Sequence, residues 1–329
     1  MHVLVTGGAG FIGSHTADLL INDGHRVTVL DSLIKGYREA VHPEANFVHG
    51  DCGDQGLLDQ IFSSQQIDAV FHFAAFIEAG ESMASPGRFF VNNTSKALML
   101  LDRMAAHSVR NFIFSSTAAT YGEPEYTPID ESHPQKPTNA YGYSKLLVEG
   151  ALKWMHELIG ISCVSLRYFN AAGCSKRLGE CHKPETHLIP LVLDVALGKL
   201  PSIKVFGTDY STPDGTCIRD YIHVEDLACA HLLALKKLSE GESPQRLAYN
   251  LGNGLGYSVK QVIDAVRQVT GHEVPFVEEQ RRPGDSAVLV ASSETIRAEL
   301  GWAPKHTGLA DIIESAWEWR KAHPEGYAQ

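Results

Sequence analysis

At 329 residues the chain has material for one large domain or two smaller ones, each with a buried core. Its composition, 44% hydrophobic and 20% charged, is that of an ordinary globular protein. A net charge of −11 argues against a nucleic-acid or anionic-membrane surface but leaves room for a phosphate-bearing ligand held by a few local arginines.

The first half alternates short apolar runs with longer amphipathic stretches. The runs predict strands at about 2–6, 26–30, 46–49, 68–73, 111–116 and 161–167, with helices between them near 11–23, 54–64, 86–107 and 142–159. This alternation implies an α/β fold with a Rossmann-type, doubly wound parallel sheet covered on both faces. After "RYFN" (167–170) the pattern loosens into a polar loop over 171–186. A helix over 188–199 follows, then mixed short elements. "SVKQVIDAVRQVTG" (258–271) predicts a capped helix ended by glycine, and a last helix over 308–323 packs its tryptophans. The expected plan is a first domain over 1–170 and a smaller α/β cap domain over most of 171–329, with segments around 216–256 returning to the first. The six cysteines (52, 163, 174, 181, 217, 229) form no dense framework, which predicts reduced thiols and a cytoplasmic protein. The chain enters "HVLVTGG" with no signal-peptide pattern, and no uncharged apolar run reaches membrane-spanning length. Cys174, Cys181, His182 and His187 invite a zinc reading, but they lack a CxxC pair. Incidental loop residues, and no metal, are expected there.

"VLVTGGAGFIGSH" (3–15) places Gly7, Gly8, Gly10 and Gly13 between a strand and an amphipathic helix. Glycines there permit a tight turn and let backbone N–H groups approach a pyrophosphate at the helix N-terminus. "RVTVLD" ends at Asp31, whose carboxylate can accept from ribose hydroxyls and would repel a 2′-phosphate, so NAD is expected over NADP. "HGDCGD" (49–54) puts Asp51 after the third strand, and "FHFAAFIEAGES" (71–82) ends the fourth in small residues that leave room for a cofactor. The first domain is therefore expected to bind NAD.

"FIFSSTAATYG" (112–122) is a strand running into Ser115, Ser116 and Thr117. Downstream, "NAYGYSK" (139–145) sets Tyr141 and Lys145 one helical turn apart. Alone, such a pair is usually an exposed helix pair. Beside an NAD site and a hydroxyl-bearing strand end, it becomes a candidate for taking a proton from an alcohol while hydride leaves the same carbon. Tyrosine titrates near ~10, and a useful base needs ~7, a difference of roughly 4 kcal/mol. A cation about 4 Å away at an effective dielectric of 20 supplies that order of energy. Lys145, with the positive ring of NAD⁺, is thus expected to lower Tyr141.

The glycine turn, the Ser/Thr strand end and the Tyr-x-x-x-Lys pair resemble the extended short-chain dehydrogenase/reductase family. Within it, "SSTAATYG", "NAYGYSK", "LRYFNAAG", "ETHLIPLV" and "DGTCIRDYIHVEDLA" (214–228) are similar to the UDP-glucose (UDP-galactose) 4-epimerases over essentially the full length. The resemblance implies interconversion of UDP-glucose and UDP-galactose through a 4-keto sugar that swings about its phosphate linkage. It implies Tyr141 as base, Lys145 as the residue that lowers its pKa and holds the ribose, and Thr117 as a hydrogen-bonding partner of O4. By the same match the cofactor contacts are Gly7, Gly10, Phe11, Ile12, Gly13, Asp31, Ser32, Gly36, Asp51, Cys52, Phe73, Ala74, Ala75, Ile77, Asn93, Ser115 and Phe169, together with Tyr141 and Lys145. Some members carry lysine where Ile77 stands. The UDP-sugar is assigned to Asn170, His187, Leu188, Lys204, Phe206, Arg219, Arg282, Asp285 and Leu289, besides Thr117 and Tyr141. Arginines suit the diphosphate, and Phe206 could stack on uracil. Where related dehydratases commonly have Asp-Glu after the threonine, this chain has Ala118 and Ala119, which cannot transfer protons. Other UDP-sugars (N-acetylhexosamine, pentose or uronate) remain alternative substrates. A dehydratase, a decarboxylase and a non-catalytic NAD-sensing regulator are the more distant readings. A homodimer is expected from the family.

Overall fold

The computed structural model describes residues 1–241, 243–282 and 284–327. Its strands, in chain order, are β1 (His2–Thr6), β2 (Arg26–Asp31), β3 (Asn46–His49), β4 (Ala69–His72), β5 (Asn111–Thr117), β6 (Ser162–Tyr168), β7 (Asn170–Ala172), β8 (Ile203–Phe206), β9 (Ile218–His223), β10 (Arg246–Leu251), β11 (Gly256–Ser258), β12 (Phe276–Glu279) and β13 (Val288–Leu289). The helices are α1 (Phe11–Asn22), α2 (Gln55–Ser64), α3 (Ala79–Ala84), α4 (Pro86–Phe89), α5 (Lys96–Ala106), α6 (Ala140–Ile159), α7 (Leu188–Ala196), α8 (Val224–Glu240), α9 (Val259–Thr270), α10 (Glu294–Leu300) and α11 (Leu309–Ala322).

Seven strands form one parallel sheet in the order β10-β6-β5-β4-β1-β2-β3. Its central strands are buried on both faces, which explains their nearly unbroken apolar runs. Period-two alternation sorts the two cores. Val3, Val5, Val29 and Leu166 face α1 and α8 in one cluster. Leu4, Leu30, Val70 and Phe112 face α2, α5 and α6 in another. The chain steps outward from β1 through β2 and β3, then returns to the other side of β1 as β4. That reversal opens a crevice beyond the carboxyl ends of β1 and β4, where such sheets bind ligands.

The region around 216–256 divides. β10 joins the large sheet beside β6, and α8 packs on α1, whereas β9 and β11 belong to a small sheet with β13 and β7. A separate core of α7, α9, α11 and β8 includes Val192, Val205, Ile263, Ile312 and Trp317. α9 has the cap that its sequence promised: Ser258 and Gln261 form a capping box, and Gly271 closes the helix at φ 72°. The helix expected over 86–107 is interrupted, because a π-type turn at Phe90–Ser95 separates α4 from α5. The cause is tertiary. Inside that turn, both ends of the Asn93 amide bond to the backbone of Phe76.

Candidate active site

Gly7 follows β1 at φ +73°, and its N–H donates to the carbonyl of Leu30 at 2.9 Å. A Cβ there would lie 2.5 Å from the Ala74 nitrogen, and one on Gly13 would lie 2.2 Å from the Gly7 carbonyl oxygen. Glycine therefore lets strand end, turn and helix close on one another. Asp31 locks the turn: its carboxylate accepts from Ala9 N–H at 3.0 Å and Leu33 N–H at 2.8 Å. Burial pushes the Asp31 pKa up while these hydrogen bonds oppose the shift. No side chain caps the N-terminus of α1. Its first N–H groups and the positive end of its dipole remain available to an anion, so this cradle fits a dinucleotide pyrophosphate.

The turn opens into a cavity of about 350 Å³, in the size range of small-molecule sites. Its wall contains Gly7, Gly10, Phe11, Ile12, Gly13, Asp31, Ser32, Gly36, Asp51, Cys52, Phe73, Ala74, Ala75, Ile77, Ser115, Thr117, Tyr141, Phe169, Asn170, His187 and Leu188. Asp51 is held there by Lys96 at 2.5 Å. Asn93 is buried behind the wall, where it pins Phe76. Lys35 stands in the wall near Ile77 and pairs with Glu78 at 2.5 Å, so a cation is present although position 77 has none.

β5 and α6 bring the chemical groups together. Asn139 caps α6 by accepting from Gly142 N–H at 2.8 Å, which sets Tyr141 in the first turn. A Cβ on Gly142 would lie 2.3 Å from the Ala119 carbonyl oxygen, so glycine lets α6 approach the end of β5. The Thr117 hydroxyl accepts from Ala119 N–H at 3.1 Å and leaves its own proton free. Burial raises the Tyr141 pKa, and a hydrogen bond with Thr117 draws it back.

No hydrogen bond joins Lys145 to Tyr141 among the described residues. The Lys145 ammonium donates to the Ser115 carbonyl at 2.7 Å and sits 5.0 Å from the Phe114 ring centre. Lys145 is 2% exposed, and burial pulls its pKa down to about 7. In the protein without cofactor, burial is the largest influence on Tyr141 and acts upward, Thr117 opposes it, and Glu78 adds to it.

The remaining predicted residues lie outside the cavity wall. Arg219 on β9 lies 3.7 Å from Asp285, which also pairs with Arg282 at 3.1 Å. The Arg282 guanidinium covers the Phe206 ring at 4.6 Å. Lys204 is exposed and pairs with Glu279 at 3.1 Å. Leu289 is paired in register with Arg219 and packs against Ala118, Tyr121 and Ile129 beside Thr117. The imidazole of His187 is already engaged by Glu180 at 2.9 Å and Glu185 at 3.1 Å.

Sequence reasoning missed several wall residues: Lys35, Glu78, Tyr168, Glu180, His182 and Tyr221. Tyr168 had a signal, since it stands in the quoted "LRYFN" at a strand's carboxyl end. Its hydroxyl bonds His231 Nε2, while His231 Nδ1 faces the Leu227 carbonyl at 2.8 Å. With His231 kept neutral by burial, the Leu227 contact takes its one N–H and Nε2 accepts from Tyr168.

A family model described as "NAD dependent epimerase/dehydratase family" matches residues 3–252. The UDP-glucose 4-epimerase of Halalkalibacterium halodurans is 52% identical over 331 residues, covering 100% of this chain and 98% of that protein. A crystal structure of a UDP-glucose 4-epimerase superposes with a TM-score of 0.96 at 48% identity, covering 100% of both chains. The Bifidobacterium longum UDP-glucose 4-epimerase, solved in complex with NAD+ and UDP, gives 0.95 at 39% identity over 99% of this chain and 100% of that one.

Proposed function

The chain belongs to the NAD dependent epimerase/dehydratase family, and we infer that within it the protein is an NAD-dependent isomerase interconverting UDP-glucose and UDP-galactose. The observation that carries this reading is the pairing of Tyr141 with Thr117 at the cavity, next to alanines at 118 and 119. A proton acceptor for an alcohol is present, and the carboxylates that would move further protons after a ketone forms are missing from those two positions.

When bound, NAD supplies reversible hydride acceptance and a positive charge on its oxidised ring. Gly7 to Gly13 and the α1 N-terminus hold the pyrophosphate, Asp31 the adenosine ribose, and Asp51 and Cys52 the adenine side. Tyr141 takes the proton from O4 of the sugar and later returns it, with Thr117 donating to the phenolate. The N-terminal end of the α6 dipole favours that anion. Lys145, freed from the Ser115 carbonyl, holds the ribose and adds its charge. Arg219 and Arg282 take the diphosphate with guanidinium forks in place of Asp285. Phe206 stacks on uracil through the face that Arg282 leaves open, and Lys204, Leu188, Asn170 and His187 complete the UDP side. The anchored nucleotide lets the hexose turn its other face toward the same groups.

Three finer readings accompany this one. Residues 1–170, with α8 and β10, act as the cofactor domain, and the core around α7, α9 and α11 carries the UDP side. The protein works as a homodimer in the cytoplasm. Supporting the dimer, Val91, Leu98, Tyr143, Leu147, Trp154 and Leu158 are exposed apolar or aromatic residues on the neighbouring α5 and α6 region. Supporting the location, all six cysteines are free, and no helix among the described residues is long and apolar enough to cross a membrane. Finally, Leu289 beside Thr117 leaves volume for an N-acetylated UDP-hexosamine as a secondary substrate.

The test is to incubate purified protein with UDP-galactose, without added cofactor, and assay UDP-glucose. Product is expected, and its formation would also show NAD retained through purification. No product with or without added NAD would overturn the assignment, and a 4-keto-6-deoxy product would move the protein to the dehydratases.

A further inference from the structure

The loop between β7 and α7 turns four side chains toward one point. Glu180, His182, Glu185 and His187 each offer one ligand atom, all within 4.8 Å of one another. Both histidines point Nδ1 inward. His187 Nδ1 lies 2.9 Å from Glu180 Oε1 and 3.1 Å from Glu185 Oε1. His182 Nδ1 lies 3.4 Å from Glu180 Oε1 and 3.7 Å from Glu185 Oε2.

Two readings compete for this cluster. Ion pairing accounts for the two short contacts of His187. It holds His182 only loosely, because 3.4 and 3.7 Å are long for hydrogen bonds. His182 Nδ1 and Glu185 Oε2 are buried without a hydrogen-bond partner, and the Glu185 side chain is only 10% exposed. Orphaned buried groups of this kind are costly. A metal between them removes the cost. Ligands of tetrahedral zinc stand about 2.0–2.2 Å from the ion, which sets neighbouring ligand atoms about 3.3–3.6 Å apart. With Glu185 contributing Oε2 alone, the separations of 2.9, 3.4 and 3.7 Å among these ligand atoms bracket that spacing.

We propose that Glu180, His182, Glu185 and His187 form a closed zinc site that pins this loop to the rim of the active cavity. Two imidazoles and two carboxylates suit zinc better than magnesium or calcium, which prefer all-oxygen sets. Four protein ligands leave no open position, so the ion is structural and performs no chemistry. Outer contacts steady the set. Glu185 Oε1 accepts from Thr186 N–H at 2.8 Å and His187 N–H at 2.9 Å, and Arg320 stands 3.7 Å from Oε2. The cysteines that suggested a metal in the sequence are not part of it. Cys174 is buried in the cap core, and Cys181 contacts Tyr37. The consequence is mechanical. His182 meets the edge of Phe11 at the start of α1, and His187 directly precedes Leu188 at the start of α7. A bound ion ties the cofactor turn to the helix on the UDP side.

The test uses the full-length protein. Metal is stripped with a chelator, excess zinc is added, the protein is desalted, and metal content is measured by mass spectrometry. A parallel sample loaded with cobalt(II) is read by absorption. One zinc per chain and an intense tetrahedral cobalt spectrum are expected. Glu180→Gln and His182→Ala, checked for folding by circular dichroism, should each weaken zinc binding by at least ~100-fold. Substoichiometric zinc, a weak octahedral cobalt spectrum, or undiminished zinc in both variants would overturn the site. The last result would move the ion to a different group, such as His223, Glu225 and His306. The cobalt spectrum of the unaltered protein decides the coordination even if a variant fails to fold.

Discussion

The two ends of the site solve opposite problems. At the chemical end, Thr117 is 8% exposed and Lys145 2%, and burial shifts the pKa values of Lys145 and Tyr141. At the diphosphate end, the Arg282 side chain is 56% exposed and that of Lys204 64%, and each cation already has a carboxylate partner. Proton transfer gains from a dry site, where a fixed charge or dipole acts strongly. Capture of a diphosphate gains from arginines kept in place by a carboxylate they can release, as Asp285 pairs with both Arg219 and Arg282. Changes at the first end should therefore fall on kcat, and changes at the second on KM.

The largest effect should come from Tyr141→Phe. It removes one hydroxyl and little packing, so a fold-intact protein should lose about 10²–10⁴-fold in kcat with KM nearly unchanged. Steady-state kinetics with UDP-galactose read both. Next, Arg219→Ala should raise KM roughly 10- to 100-fold, because a hydrogen bond to a charged group contributes about 1.5–3 kcal/mol. Arg282→Ala, at the more exposed position, should raise it less. A kcat loss in either that matched Tyr141→Phe would erase the division between the two ends. Leu289→Tyr should cut the turnover of UDP-N-acetylglucosamine relative to UDP-glucose by about tenfold, read by competing the two substrates. If UDP-N-acetylglucosamine is not turned over at all, the pocket is already closed to it.

A further effect is on stability and concerns the buried end alone. The Lys145 pKa is depressed from 10.5 to about 7 in the folded, cofactor-free protein. Between those values the unfolded chain binds the extra proton, so stability should rise with pH from about 7 toward 10. The gain is fully present above the unfolded pKa and lost as pH falls toward 7, with a slope of at most about 1.4 kcal/mol per pH unit. Urea unfolding of cofactor-free protein across that range reads it, and Lys145→Met should flatten the profile.

Much of the first end was legible because its signals are local. A strand, a glycine turn and a helix within "VLVTGGAGFIGSH" specify a pyrophosphate cradle with little help from the rest of the chain. Tyr141 follows from a cap at Asn139 three residues from Gly142. What the sequence did not show depended on distant partners. Asn93 matched a cofactor position, and the fold also sets its amide against the backbone of Phe76, 17 residues away. Lys145 matched a residue expected to lower Tyr141, and its ammonium also donates to the Ser115 carbonyl, 30 residues away. In the loop before α7 the sequence sets Cys174 and Cys181 near His182 and His187, while the folded loop joins the two histidines to Glu180 and Glu185.

The sequence by itself determined the parallel sheet, the glycine turn and the cap that sets Tyr141 in the first turn of α6, because period, turn chemistry and helix caps act over a few residues. Tertiary structure alone decided how β10 and α8 complete the first domain's sheet and core, which way Lys145 donates, and where Glu180 and Glu185 meet His182 and His187. Those outcomes rest on burial and on neighbours brought in from elsewhere in the chain, and desolvation exists only once the chain has closed around the group that feels it.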